Sequence, residues 1–220
     1  MADATQYTGY SESDLLAAAQ SLLILTIMLF FGMGRSALHH PAEAELLLQI
    51  WDVKHHLSKT GLLLDQEATH ATPPWRERAM VTSKRRTVHS FHQVEWAWSL
   101  LHGYPILTCF ELKPLPAPPA KHLWQETDEM RWWDSYATWL RQWDGGYYKM
   151  MEFFHINPRG ALDARSEMWL AEADEYGMMV MAEGKFPLCA FCIEQWTEIY
   201  LTTQSTPLAG HNPVVKHWPS

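Results

Sequence analysis

Two imidazoles and a carboxylate recur at three-residue steps in His89-x-x-His92-x-x-Glu95, with Trp98 and His102 following on. Histidine titrates near neutrality and an adjacent carboxylate can orient it, so this spacing can bind a metal, move a proton or hold a ligand. On ideal helical geometry the first three residues span about 120° of circumference, and they do not converge on one point unaided. The sequence therefore assigns no catalytic residue and no metal ligand. His89, His92, Glu95, Trp98 and His102 stand as candidate ligand-binding residues.

Other chemistry-bearing spacings are weaker. Glu152-x-x-His155 has the i, i+3 pairing of carboxylate-bridged metal bundles, which need two such pairs and two further glutamates; it is read as an isolated pair. Cys189-Ala-Phe-Cys192 is a single C-x-x-C among apolar neighbours and reads as buried helix. His39-His40 and His55-His56 each place their rings about 100° apart on a helix, so each pair offers at most one ligand to a common site. A Walker loop, a dinucleotide glycine fingerprint, a G-x-S-x-G elbow and H-E-x-x-H are all missing from the sequence, and no cofactor is expected.

The elements that must position these residues read as helices. Ser11 or Ser13 caps a helix over Leu15 to Met33, whose run of leucine, isoleucine and phenylalanine is long enough for a membrane span. Gln20, Ser21 and Thr26 interrupt it, and a helix surrounded by other helices in a protein core is the preferred reading. Leu46, Ile50, Val53 and Leu57 recur at helical spacing after Pro41. Gly61 to Pro74 is an irregular connection. From Arg78 to Leu101, Val88, Phe91, Val94, Trp98 and Leu101 form an apolar side, opposite a polar face of Arg85, His89, His92, Glu95, Ser99 and His102.

Tyr104 and Pro105 end that helix. Lys113 to Ala120 must be polyproline-like, because repeated prolines fix φ and remove donors; it reads as a crossover sooner than as a docking motif. A helix capped by Thr127 or Asp128 carries one stripe of Met130, Trp133, Ala137 and Leu140 and a second of Trp132, Tyr136, Trp139 and Trp143, so a wide buried face is expected. Gly145-Gly146 breaks it. A single helix from Ala161 to Ala182 turns Leu162, Trp169, Ala173, Tyr176 and Val180 inward, with Glu167, Glu172, Asp174 and Glu175 as a solvent-facing flank. A last apolar helix passes through Trp196, Ile199 and Tyr200. The expected fold is all-α, a single irregular multi-helix bundle with a proline-rich crossover: tail 1–10, domain 11–204, tail 205–220.

Apolar residues make up 47% of the 220 and aromatics 13%, with 12 Trp and 11 Met, which reads first as a packed core and second as a core with an apolar small-molecule pocket. A net charge of -8 argues against direct nucleic-acid binding, which calls for excess Lys and Arg. Three cysteines are too few for a disulfide framework and favour an intracellular location, nucleus or cytoplasm. Nothing at the amino terminus has the pattern of a secretory signal.

Arg85-Arg86-Thr87 after Trp75, the aromatic helix, Pro105 with Cys109-Phe110-Glu111-Leu112, Pro114-Leu115-Pro116-Ala117 and Leu123-Trp124 follow one another in an order that resembles the fungal transcription factor regulatory domain. Ala19 to Leu23 and Ala44 to Leu57 are similar to that region too, so the likeness spans roughly residues 15–200. The resemblance implies an α-helical module of nuclear regulators that acts through ligands or partners, with control of a metabolic gene cluster as one setting. Two departures stand out. An acidic residue often precedes the family's triplet, where this chain has Thr82-Ser83-Lys84, and the cysteine-rich zinc head is not in this sequence. The partners expected are a small apolar molecule or a transcription-related protein, with a homodimer left open and membrane attachment through Leu15 to Met33 a third-ranked reading. The alternative function is a stand-alone cofactor-independent cyclase or isomerase, using an aromatic pocket with His92, Glu95 or His102 as acid or base.

Overall fold

A computed structural model of the chain describes residues 9–32, 40–102, 112–157 and 159–184. These all fall within one compact unit, Met1–Pro187. Eight α-helices are described: α1 Glu12–Ile27, α2 His40–Lys59, α3 Asp65–Ala68, α4 Trp75–His102, α5 Lys121–Gln125, α6 Glu129–Gln142, α7 Ala164–Glu172 and α8 Glu175–Gly184. The fold is all-α as expected. The described residues contain no strand, only an isolated bridge between Pro116 and Lys149. Pro105, Cys109, Cys189, Cys192, the helix through Trp196 and the tail from 205 lie outside the described residues.

The central element is α4, 28 residues long, with a core on either side of it. On one side α1 and α2 pack against it and against each other. Leu15, Leu16 and Ala19 from α1 and Ile50, Val53 and Leu57 from α2 meet Val88 and Phe91 of α4. Further along, Phe30 stacks on Trp98 with ring centres 4.0 Å apart. Ser11 caps α1, its hydroxyl accepting from the Asp14 N–H while the Asp14 carboxylate accepts from the Ser11 N–H.

On the other side lies an aromatic core. Trp132, Tyr136, Trp139 and Trp143 project from α6 at i, i+4, i+7 and i+11 and pack with Tyr148, Phe153 and Trp169. Gly145 and Gly146, at φ of 89° and 93°, make the left-handed turn that ends α6 and returns the chain to this core. The prolines run through the interior: Ala117 donates to the Tyr148 carbonyl at 2.8 Å, Met150 to that of Leu115 at 2.9 Å, and the Trp169 indole to that of Pro118 at 3.1 Å. The crossover reading of Lys113 to Ala120 thus agrees with the structure.

Four expectations are corrected. Only one stripe of α6 is buried, since Met130 and Trp133 are 77% and 41% exposed with nothing described over them. The helix expected from Ala161 to Ala182 is two, because Asp174 leaves the helix and caps α8 by accepting from the Gly177 N–H at 2.7 Å. Consequently Asp174 is buried and does not face solvent. Finally, α1 is covered on one side alone among the described residues. Among the described residues α2 and α4 are the helices packed most closely on it, and Ile24, Leu25, Ile27, Met28 and Phe31 are exposed. The segment Glu12–Phe31 is the single described helix long and apolar enough to cross a membrane.

Candidate functional site

With a core on either side, the polar face read on α4 is itself largely interior. Arg78, Thr82, Lys84, Arg85, Thr87, His89 and Glu95 are all buried. A charge taken out of water must be paired, and each pairing here draws in another element.

Arg85 is the hub. Its guanidinium holds Glu67 of α3 bidentately at 2.7 and 2.8 Å, with further bonds to the Leu62 carbonyl and the Thr82 hydroxyl. Arg78 Nε approaches the same carboxylate to 2.9 Å, out of line for a hydrogen bond. Burial alone would push the Glu67 carboxyl up; the Arg78 and Arg85 charges and the Leu64 N–H outweigh it and hold it below the ordinary carboxylate value. Next in sequence, Arg86 pairs with Asp174, and its guanidinium lies 4.1 Å from the Trp124 ring centre and 4.6 Å from that of Tyr176. Tyr176 donates its hydroxyl back to the Arg86 carbonyl at 2.8 Å. Thr87 bonds the Ser83 carbonyl.

The five candidate residues are placed along the α1 and α2 side. Glu95 pairs with Lys54 of α2. His89 is buried with no partner for Nε2, and burial, together with His92 and Arg85, pushes its pKa down to about 3. Burial and Lys54 push His92 down to about 4. Trp98 lies between Phe30 and the ring of His102, 3.7 Å away, and His102 Nδ1 is 2.9 Å from the Trp98 carbonyl. None of the five lines any of the three cavities described. His55 stacks on Trp51 at 5.6 Å, and His56 bonds within α2.

Metal-type spacing has a second instance that the reading of an isolated pair overlooks, Glu67-x-x-His70. The structure gives these residues other work: His70 Nε2 is 2.9 Å from the Leu140 carbonyl, and Glu152 is held by Arg165. Among the described residues no three His, Cys, Asp or Glu are grouped to hold a metal ion.

Two cavities adjoin the Arg85 hub. One, against the prolines, has Glu67, His70, Arg78 and Glu172 in its wall and about 20 Å³ of free space, room for roughly one water. Glu172 accepts both the Trp139 and the Trp143 indole N–H there, each at 3.1 Å. The other is a cleft of about 260 Å³ between the first turns of α4, α5 with the residues after it, and α6. Trp75, Arg78, Ala79, Thr82 and Ser83 stand at i, i+3, i+4, i+7 and i+8 of α4 and form one wall; Trp124, Trp132 and Tyr136 form the other. Burial raises the Tyr136 pKa despite the nearby Arg78.

Sequence reasoning missed Glu67 and this cleft. Glu67 sits among Ala, Thr and Gln with no periodic pattern to mark it. Asp174 carried a readable signal, an Asp at a helix start three residues before Gly177. The chain matches no known family, and no characterised protein or solved structure is detectably similar to it.

Proposed function

We propose that the chain is a regulatory helical domain of the transcription-factor type that acts through ligand or protein contacts and not by holding DNA, inside the cell in nucleus or cytoplasm. One observation carries this reading: Arg85 and Arg86, the core of the family-like triplet, tie α3, α4, α5 and α8 together beside a cleft of ligand size. A molecule entering that cleft touches the helices that the triplet holds in register, which is what a ligand-responsive module needs. The net charge of -8 supports action without phosphate contacts. The cyclase or isomerase alternative draws less support, because His92, Glu95 and His102 share no cavity with the aromatic cleft.

The test is to fuse the full chain to a heterologous DNA-binding head and measure a reporter in cells. The fusion should change expression several-fold relative to the head alone, and the unfused chain should not retain duplex DNA at physiological salt. A reporter indifferent to the fusion, or tight DNA retention by the chain itself, overturns the proposal.

A further inference from the structure

We infer that the cleft between α4, α5 and α6 is a binding site for a small aromatic carboxylate of one or two rings. The inference rests on the ligand-responsive reading above and specifies the ligand class. Size comes first: about 260 Å³ lies between a cavity of roughly 150 Å³, which holds one benzene, and the roughly 300 Å³ at which drug-sized pockets begin. The walls come second. Trp75, Trp124, Trp132 and Tyr136 offer ring faces and edges for a flat apolar body.

Charge decides the rest. Arg78 and Arg85 share one carboxylate, Glu67, and Arg85 takes both of its oxygens, so Arg78 lies beside that acid without an aligned bond to it. Arg85 is committed bidentately and is not part of the cleft lining, whereas Arg78 is. Arg78 is 7% exposed, and its Nε lacks a properly aligned acceptor. The one acid in the lining, Glu126, is already engaged: its Oε1 accepts from the Thr127 and Asp128 N–H groups, both at 2.9 Å, and lies 3.4 Å from Arg131. Arg78 is the one basic side chain in the lining, and a ligand carboxylate reaching it would give its guanidinium an aligned, charged acceptor. Ser83 and Thr127 add hydroxyls at the mouth.

The probe is 2-naphthoate, compared with its neutral isostere 2-naphthamide, titrated into the full-length protein and followed by tryptophan fluorescence and by the indole N–H resonances of Trp75, Trp124 and Trp132. Naphthoate should bind saturably and at least tenfold more tightly than the amide, moving those three resonances. Arg78→Gln should reduce naphthoate to the affinity of the amide while leaving the amide unchanged. Because that variant also disturbs the Glu67 pairing, Ala79→Trp, which fills the cleft from an exposed helix position, provides a second arm and should abolish binding of both probes. Equal affinity for acid and amide, no saturable binding at millimolar probe, or naphthoate binding that survives Ala79→Trp overturns the assignment. If naphthoate binds while the fused reporter stays silent, the regulatory role fails and the site stands; the reverse result rejects the ligand class alone.

Discussion

On one side of α4, Leu15, Ala19, Ile50, Val53 and Leu57 meet Val88 and Phe91 through aliphatic contact; on the other, the indoles of Trp139, Trp143 and Trp169 are buried with every N–H donated to an oxygen. Aliphatic contact is non-directional, so the first core sets helix register by volume and by a few polar links, Lys54–Glu95, Lys84–Glu12 and the Gln20–Thr87 bond. It tolerates a misfit such as the unpartnered His89 nitrogen, and it leaves half of α1 apolar and exposed. The aromatic core carries polar handles and is directional: each of these three indoles has both a packing face and a bond to satisfy. Between the two, Glu67 and the arginines of α4 form the junction. The candidate ligand residues read from the sequence lie in the first region, the ligand-sized cleft beside the second.

The largest expected effect comes from breaking that junction. Glu67→Ala strands Arg78 and Arg85 without a counter-charge, and removing one partner of a buried pair typically costs about 3–5 kcal/mol. Urea unfolding should show a loss of that order, with the near-ultraviolet circular dichroism of the tryptophans changing at the same time. An unchanged midpoint would mean the two cores do not depend on the clamp.

A smaller effect separates the cores by pH. His89 and His92, both on the aliphatic side, stay neutral in the folded chain down to about 3 and about 4, whereas an unfolded chain protonates them near 6.5. The unfolded state therefore binds more protons across that window, and stability falls as the pH drops from 6.5 towards 4. At pH 5 the loss is about 2 kcal/mol for each histidine, at roughly 1.4 kcal/mol per unit. Glu67, held below its ordinary carboxyl value, contributes stability that is lost only at lower pH, below about 4.5. His89→Leu should remove its share of the decline between pH 7 and 5 in chemical denaturation; an identical slope for wild type and variant would place His89 in contact with water.

The smallest effect tests the open face. Ile24→Ser with Met28→Ser should change stability by no more than about 0.5 kcal/mol each, the range for exposed positions. A drop above about 1 kcal/mol per site in the same denaturation experiment would mean that something covers α1 and that the aliphatic core extends further than Ile50 and Phe91.

Helix content, the cap at Ser11, the break at Gly145-Gly146 and the inward positions Ile50, Val53, Leu57, Val88 and Phe91 are legible in the sequence, because period, caps and glycine conformation are local properties. The ligand-residue candidates are legible as residue types on one helix face, and their uses are not. Whether Glu95 meets a proton or Lys54 depends on which helix lies opposite, and nothing in the α4 sequence names α2.

For this chain the order of amino acids by itself determined an all-α fold, a proline-rich crossover and two adjacent arginines on its longest helix. Tertiary structure alone decided which acids they meet, Glu67 eighteen positions upstream and Asp174 eighty-eight downstream, and so that Arg78 shares its acid beside an aromatic cleft. The physical reason is that helical period acts over a few residues, whereas the pairing of buried charges is settled by proximity in space, which only the packed chain defines.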